Sequence, residues 1–357
     1  MEEALPLLEE LTIVYPKDAG IREALGGALL AHAANLSDPA GRRQTRLRAR
    51  KAFLQVQALG DNSNYVIVEL EGIPEDGSQT PFSTRKDVDE AMRGAESAYG
   101  RGDFPAALAG YAEVLKLDPR NYHAALFIGD VYYVQKDYDN SYPWFAKAVE
   151  IDPDQETAYR YWGDALYATG HNAEARGKYV EAIVASPYQR ASWVGLVQWA
   201  QRNRVTLAHP KIESPNAMAT TGGKTNITIN ASVLGKNDGS ESWLLYEISR
   251  ANWREHEFKK EYPNEKEYRH SLAEEAHALG VVADAVSESI TSKKITNADL
   301  NPQLATLIKL KSEGLLESYI LMAHADQGIA QDYAGYRKDH RDKLIQYMNE
   351  FVVPPIR

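Results

Sequence analysis

The chain has 357 residues, 44% hydrophobic and 25% charged, an ordinary composition for a soluble globular protein of two or three domains. Fifty acidic against 40 basic side chains leave a formal charge of −10, which argues against nucleic acid or an anionic membrane as the main partner, because phosphate binding needs clustered Lys and Arg. The absence of cysteine excludes disulfides, thiolate metal sites and a thiol nucleophile, and no apolar run reaches the roughly 18 residues that a membrane-spanning helix needs.

Ala4, Leu8 and Leu11 recur at helical spacing before Pro16, which ends a first short helix. A second runs from Ile21 to Ala34, with Gly26 at a small-residue position. After an insertion, Asn35 to Thr45, a third covers Arg46 to Leu59, with Ala49 and Phe53 on its apolar side. The basic run Arg42, Arg43, Arg46, Arg48, Arg50 and Lys51 spreads around a helix and reads as a solvated face. Residues 61–87 lose the helical period. Tyr65 to Leu70 is β-prone and Gly72 to Ser83 is rich in Gly, Pro, Ser and Asp, so this stretch is expected to be a connector with a short extended piece.

From residue 88 a repeat is visible. Pro119, Pro153 and Pro187 stand 34 residues apart, in the contexts Leu117-Asp118-Pro119, Ile151-Asp152-Pro153 and Ala185-Ser186-Pro187. In the same register fall Tyr111, Phe145 and Tyr179, then Ala107, Ser141 and Ala175, then Val114, Ala148 and Ala182, and finally Ala95, Gly129 and Gly163. Small side chains let two helices cross closely, an aromatic fills the gap between hairpins, and proline cannot continue a helix. The pattern resembles the tetratricopeptide repeat, which implies an α-solenoid of helical hairpins over residues 88–204. There Arg190 to about Arg202, with Trp193, Leu196, Val197 and Ala200, serves as the capping helix. In the frame of this repeat, residues 1–60 are degenerate: the first helix is a B half without its A helix, and the next two form an A–B pair. The chain thus begins in mid-hairpin. Either a preceding segment, a signal peptide or another repeat, has been removed, or the start is a natural irregular cap.

Residues 205–240 form a linker with Pro210, Pro215, Gly222, Gly223, Gly235 and Gly239. Within it Ile227, Ile229, Ala231 and Val233 alternate with polar residues as in a half-buried strand, and Tyr65–Leu70 is its expected partner. Thr221-Gly222-Gly223-Lys224-Thr225 ends like a phosphate-binding loop but lacks the first glycine and a preceding strand. Residues 241–357 are expected to form a helical domain with helices at 242–260, 264–289, 301–322 and 325–350, Asn301-Pro302 supplying a cap and first residue. The fold expected for the whole is therefore all-α, an α-solenoid followed by a C-terminal helical domain, with at most a short strand pair in the connectors.

The resemblance also implies where a ligand lies. In this family the A helices line the inner face, and the ligand-facing positions fall here on Met92, Glu96, Tyr99, His123, Leu126, Asp130, Tyr133, Arg160, Asp164 and Tyr167. An acidic ladder beside a tyrosine ladder suits a protein or peptide with a basic or amide-rich segment, and disfavours the carboxylate-clamp mode that Lys and Asn build at these positions. The expected function is a non-catalytic scaffold, with no cofactor. The alternatives are an enzyme or metal-binding protein with its site in the C-terminal domain, and a self-associating structural subunit, for instance of a bacterial envelope. For metal, the candidates are Glu267, His270, Glu274 and His277, which one helix face would carry together, supplemented by His256, Glu313 or His324. The compartment stays open between cytoplasm and periplasm or secretion.

Overall fold

The computed structural model describes residues 4–36, 38–61, 63–78, 81–215, 217–221 and 224–353. The chain divides into two compact units, Met1–Ala175 and Arg176–Arg357.

Unit 1 opens with α1 (Leu5–Val14), α2 (Ala19–Asn35), α3 (Pro39–Ala58) and α4 (Asn64–Gly72). Asp18 and Asp38 cap α2 and α3, accepting from the main-chain N–H of Ile21 at 3.0 Å and Gly41 at 2.7 Å. Most of the expected insertion is thereby helical, since α3 starts at Pro39. α2 and α3 approach so closely that a Cβ on Gly26 would lie 2.7 Å from the Phe53 ring. The connector expected at 61–87 contains a helix instead. Ser63 accepts from the Val66 N–H and starts α4, which buries Val66 against Leu29, Ala49 and Phe53. Tyr65 meets Phe53 edge-on at 5.8 Å. Burial of one face against α3 outweighs the β preference of Tyr65-Val66-Ile67-Val68.

Five further helices follow, α5 (Lys86–Gly100), α6 (Phe104–Leu117), α7 (Tyr122–Val134), α8 (Tyr138–Ile151) and α9 (Glu156–Ala168), and then α10 (Asn172–Ala185). Each of α5 to α8 packs on the next, and α7 also touches α9, the stacking of a solenoid. Asp118 and Asp152, each before a proline, end α6 and α8 in almost the same extended geometry, φ −138° and −141°. The turn inside each hairpin repeats as well. Gly102, Lys136 and Gly170 all have positive φ, at 75°, 61° and 85°. Only the middle repeat places a residue with a Cβ there. Lys136→Gly is therefore expected to raise stability by about 0.5–1 kcal/mol, the left-handed cost of an L-residue less the chain entropy of glycine, as read from thermal or urea melts.

Unit 2 comprises the end of α10, α11 (Arg190–Asn203), strands β1 (Ala217–Thr221) and β2 (Lys224–Thr228), and the helices α12 (Leu244–Asn252), α13 (Phe258–Glu261), α14 (Leu272–Thr291), α15 (Pro302–Ser312), α16 (Leu316–Tyr319) and α17 (Tyr333–Tyr347). Single π turns extend α12, α16 and α17. The division of the chain falls inside α10, upstream of the 205–240 segment. The C-terminal helices bind the end of α10 and the turn after it: Tyr333 donates to the Val184 carbonyl at 2.6 Å, Arg176 to Val353 at 2.9 Å, Tyr188 to Leu321 at 2.9 Å and Arg337 to Ala185.

Three expectations are corrected here. Of the strand read over residues 227–233 only Ile227 and Thr228 are extended, as the end of β2, which pairs with its own neighbour β1 and not with Tyr65–Leu70, which is helical. β1 and β2 are antiparallel with Thr221 opposite Lys224, and Ala231–Val233 is a 3-10 turn. Gly222 and Gly223 of the phosphate-loop-like motif lie outside the described residues. The helix expected at 264–289 starts only at Leu272, where Ser271 caps it by accepting from the Glu274 N–H at 3.2 Å. Upstream, Arg269 is tied to Asp332 at 2.6 Å and to the Gly328 carbonyl at 2.8 Å, contacts that hold residues 262–271 out of a helix. The helix expected at 301–322 is likewise interrupted, by Gly314 at φ 66°.

Candidate functional site

The A helices α5, α7 and α9 carry the ten positions singled out from the repeat. Two of them are not surface. Met92 and Leu126 are 0% and 3% exposed, Met92 in a core with Val88, Ala95 and Tyr111, Leu126 in one with Phe145 and Ala158. Each faces the B helices of the stack, so a side chain expected in the groove is hairpin core. Arg160 is half-buried and bound at 3.0 Å to Glu156 one turn earlier, with its guanidinium 4.7 Å from the Tyr161 ring centre. His123 is exposed among aromatic neighbours, 5.5 Å from Tyr122, 5.8 Å from Phe127 and 6.1 Å from Phe82.

Three of the remaining positions, Glu96, Tyr99 and Asp130, are hydrogen-bonded. Tyr99 of α5 donates its hydroxyl to Asp130 of α7 at 2.8 Å, linking the tyrosine of one repeat to the acid of the next. Tyr111 of α6 donates to Glu96. Burial pushes the Glu96 carboxyl above its ordinary range, the Tyr111 hydroxyl pulls it back and the charge of Asp130 pushes it further up. Asp130 is raised by burial, with Tyr99 opposing. Burial also raises the phenol of Tyr133, helped by the charges of Asp164 and Asp130, and the Tyr133 ring meets Tyr138 at 5.7 Å. Asp164 and Tyr167 are half-buried on α9. Among the described residues no cation lies within ion-pairing distance of Glu96 or Asp130. Tyr161 is a member that the repeat reading missed: burial raises its phenol against the pull of Arg160, and the charge of Asp130 reaches it. The signal was present, since Phe127 and Tyr161 are aromatics 34 residues apart.

The metal candidates of unit 2 do not come together. Glu267 and His270 precede α14, so no single helix face carries the four, and Glu267 and His277 are exposed. His277 rests on Trp253 at 5.3 Å, and His256 lies at 3.7 Å from Glu255. Glu313 follows α15 and lies apart, with one oxygen buried and unbonded. Among the described residues no group of three or more His, Cys, Asp or Glu is arranged to hold a metal ion.

His270, Glu274 and His324 instead join a buried polar cluster that the sequence did not reveal. Glu274 and Glu275 are fully buried in the first turn of α14. Glu275 accepts from the Tyr246 hydroxyl at 2.8 Å, meets His270 Nε2 at 3.0 Å and lies 3.4 Å from His324 Nε2. Glu274 accepts from Arg250 Nε at 3.0 Å and from the Tyr268 hydroxyl at 2.8 Å. The other ring nitrogen of His270 bonds Asp326 at 2.8 Å. An acidic pair just before the apolar run Ala278–Ala283 was the legible clue. Buried charges of this kind require partners, and here they come from three separate segments, α12, the stretch before α14 and the stretch after α16.

Comparison of the sequence with protein-family profiles agrees with the repeat. Residues 92–156 match the sequence profile of the tetratricopeptide repeat. Among solved structures, the chain is similar to MamA AMB-1, at 20% identity over 45% of this chain and 79% of that one with a TM-score of 0.28. It is also similar to the P58(IPK) TPR domain, at 11% identity over 97% and 82% with a TM-score of 0.30. No curated protein matches the sequence. Among the described residues, no helix is long and apolar enough to cross a membrane.

Proposed function

This chain carries tetratricopeptide repeats, and from that premise we propose that it is a protein-interaction scaffold whose α5–α7–α9 face takes a peptide segment bearing Lys or Arg. The reading is carried by one observation: Glu96 and Asp130 sit half-buried on that face, each held by a tyrosine hydroxyl, with no cation beside either among the described residues. A carboxylate raised by burial and by a like charge gains most from an incoming ammonium or guanidinium, which removes the repulsion and replaces lost hydration. The phenols of Tyr99 and Tyr111 fix the carboxyl orientation, and the rings of Tyr133 and His123 offer flat contact area at little cost in side-chain freedom.

The test is calorimetric titration with a panel of short peptides of matched length that are basic, neutral or acidic. Basic peptides are expected to bind, and Asp130→Asn and Glu96→Gln to weaken them by about tenfold or more, the range seen when one member of a desolvated charge pair is lost. Neither variant should melt earlier. Both carboxyls are raised in the folded state, so the fold binds protons more readily than the unfolded chain, and its stability falls as pH rises from the ordinary carboxylate range through the raised one. Binding should run the other way and weaken as the pH is lowered through the same window, because the protonated acids no longer attract a cation. A panel that binds without regard to charge, or variants that bind like the parent, would sink the reading.

A further inference from the structure

Unit 1 also holds a polar cavity of about 310 Å³, lined in part by α5, the helix that carries Glu96 and Tyr99 of the acidic face. It is lined by Arg42, Arg43 and Arg46 of α3, by Asp89 and Arg93 of α5, and by the Gly77-Ser78 turn. The basic run that reads as a solvated face is therefore split. Arg48 and Arg50 reach Glu9 and Glu75, whereas three arginines of the same helix turn toward a fourth from another helix.

The charges in this cavity do not balance. Asp89 binds Arg93 at 2.8 Å and accepts from the Phe82 N–H at 2.8 Å, so it serves one guanidinium. Arg43 pairs with Asp76 at the rim, where both side chains are more than half exposed. Arg42 and Arg46 have only main-chain carbonyls. Arg42 donates to Leu36 at 2.9 Å, and Arg46 to Gly72 at 2.9 Å and to Gly77 and Ser78 at 3.3 Å. Among the described residues neither has a carboxylate at ion-pairing distance. The carbonyls hold the guanidinium planes in place and leave two positive charges uncompensated. Burial, and after it the charge of Arg93, hold Arg46 below the ordinary guanidinium range, with Glu69 opposing.

We propose that this cavity is a binding site for a phosphate monoester in its dianionic form, gripped by Arg42, Arg46 and Arg93. Two uncompensated charges call for a dianion. Planar guanidinium forks converging from two helices suit the tetrahedral oxygens of a phosphate better than a single carboxylate, which carries half the charge. The carbonyl contacts of Arg42 and Arg46 fix both groups before the ligand arrives, so little side-chain freedom is lost on binding.

The same chemistry can come from a free small molecule or from a lipid headgroup, and the experiment separates them. The full chain is titrated at pH 8 with inorganic phosphate and glycerol phosphate, with acetate as control, and sedimented with phosphatidylcholine vesicles with or without phosphatidic acid. Saturable binding of the soluble phosphates is expected, with acetate inert, and Arg42→Gln and Arg46→Gln each weakening it by about tenfold or more at unchanged far-UV circular dichroism. Binding confined to phosphatidic acid vesicles, and lost in the same variants, supports the site with a headgroup as its source. Glycerol phosphate should bind more weakly at pH 5.5, below the second pKa of a phosphate monoester at about 6, whereas sulfate should be indifferent to the change. Should Arg46→Gln fail to fold, Arg42→Gln decides the matter, since Arg42 is tied to the fold through a single carbonyl. Acetate binding as well as phosphate, no binding in any arm, or binding equal in parent and Arg42→Gln overturns the proposal.

Discussion

Replacing Glu275 by alanine is expected to lower the stability of unit 2 by about 3–5 kcal/mol, the usual result of removing one partner from a buried charge cluster. The carboxylate is fully buried, and its loss strands several groups at once. The Tyr246 hydroxyl has both of its bonds to Glu275, His270 loses its acceptor at 3.0 Å, and Arg250, 3.8 Å away, keeps only Glu274. Hydrogen exchange locates the effect: amides of α12 and α14 should exchange faster in the variant, and those of α5 to α8 should not change. Uniform acceleration across both units, or none, would show that the cluster is not what holds α12 on α14.

The same cluster predicts how stability depends on pH. Burial works to raise the Glu275 carboxyl, but its bonds to His270 and His324 and the charges of His270 and Arg250 prevail and hold it down at about 2. Its contribution is thus complete above the ordinary carboxylate range and is lost as the pH falls toward 2. His270 is the opposite case. Burial lowers it, but the bonds to Glu275 and Asp326 prevail and raise it. Its contribution is complete below the ordinary histidine value and is lost as the pH rises through the raised one. Unit 2 should therefore weaken on both sides of a plateau, and Glu275→Gln should flatten both slopes.

Gly129→Leu is expected to cost unit 1 about 3 kcal/mol or more. Even a methyl at this position would come 2.7 Å from Cδ1 and Cε1 of Phe145, a fully buried ring on α8. Overfilling a close-packed contact costs about 1–3 kcal/mol, and leucine adds three more carbons to the same place. Gly94 is the control. It lies on the exposed side of α5, where a Cβ would meet nothing within 4 Å, so Gly94→Ala should stabilise by about 0.5–1 kcal/mol through helix propensity alone. Thermal melts of the two variants should move in opposite directions. A Gly129→Leu protein that melts with the parent would mean that α7 and α8 can separate freely, and the small-residue reading of the repeat would fail.

That reading came from sequence alone, and so did most of the architecture of residues 88–187. The 34-residue period is legible because each hairpin meets mainly its neighbours: the glycine of α7 faces the aromatic of α8, and the Asp-Pro pairs end α6 and α8 alike. One helix start was legible too, at Asn301-Pro302, since a cap is a contact between residues two or three apart. The tertiary structure alone decided what depends on distant partners. It turned Tyr65–Leu70 helical by burying Val66 on α3, and took Met92 and Leu126 out of the groove and into the core. It joined Tyr99 to Asp130, gathered Glu275, His270, Tyr246 and Arg250 into one cluster, and brought Arg93 to the arginines of α3. A periodic pattern records which side of a helix is buried. It does not record which far segment covers that side, and for an ionisable group that cover determines both charge and chemistry.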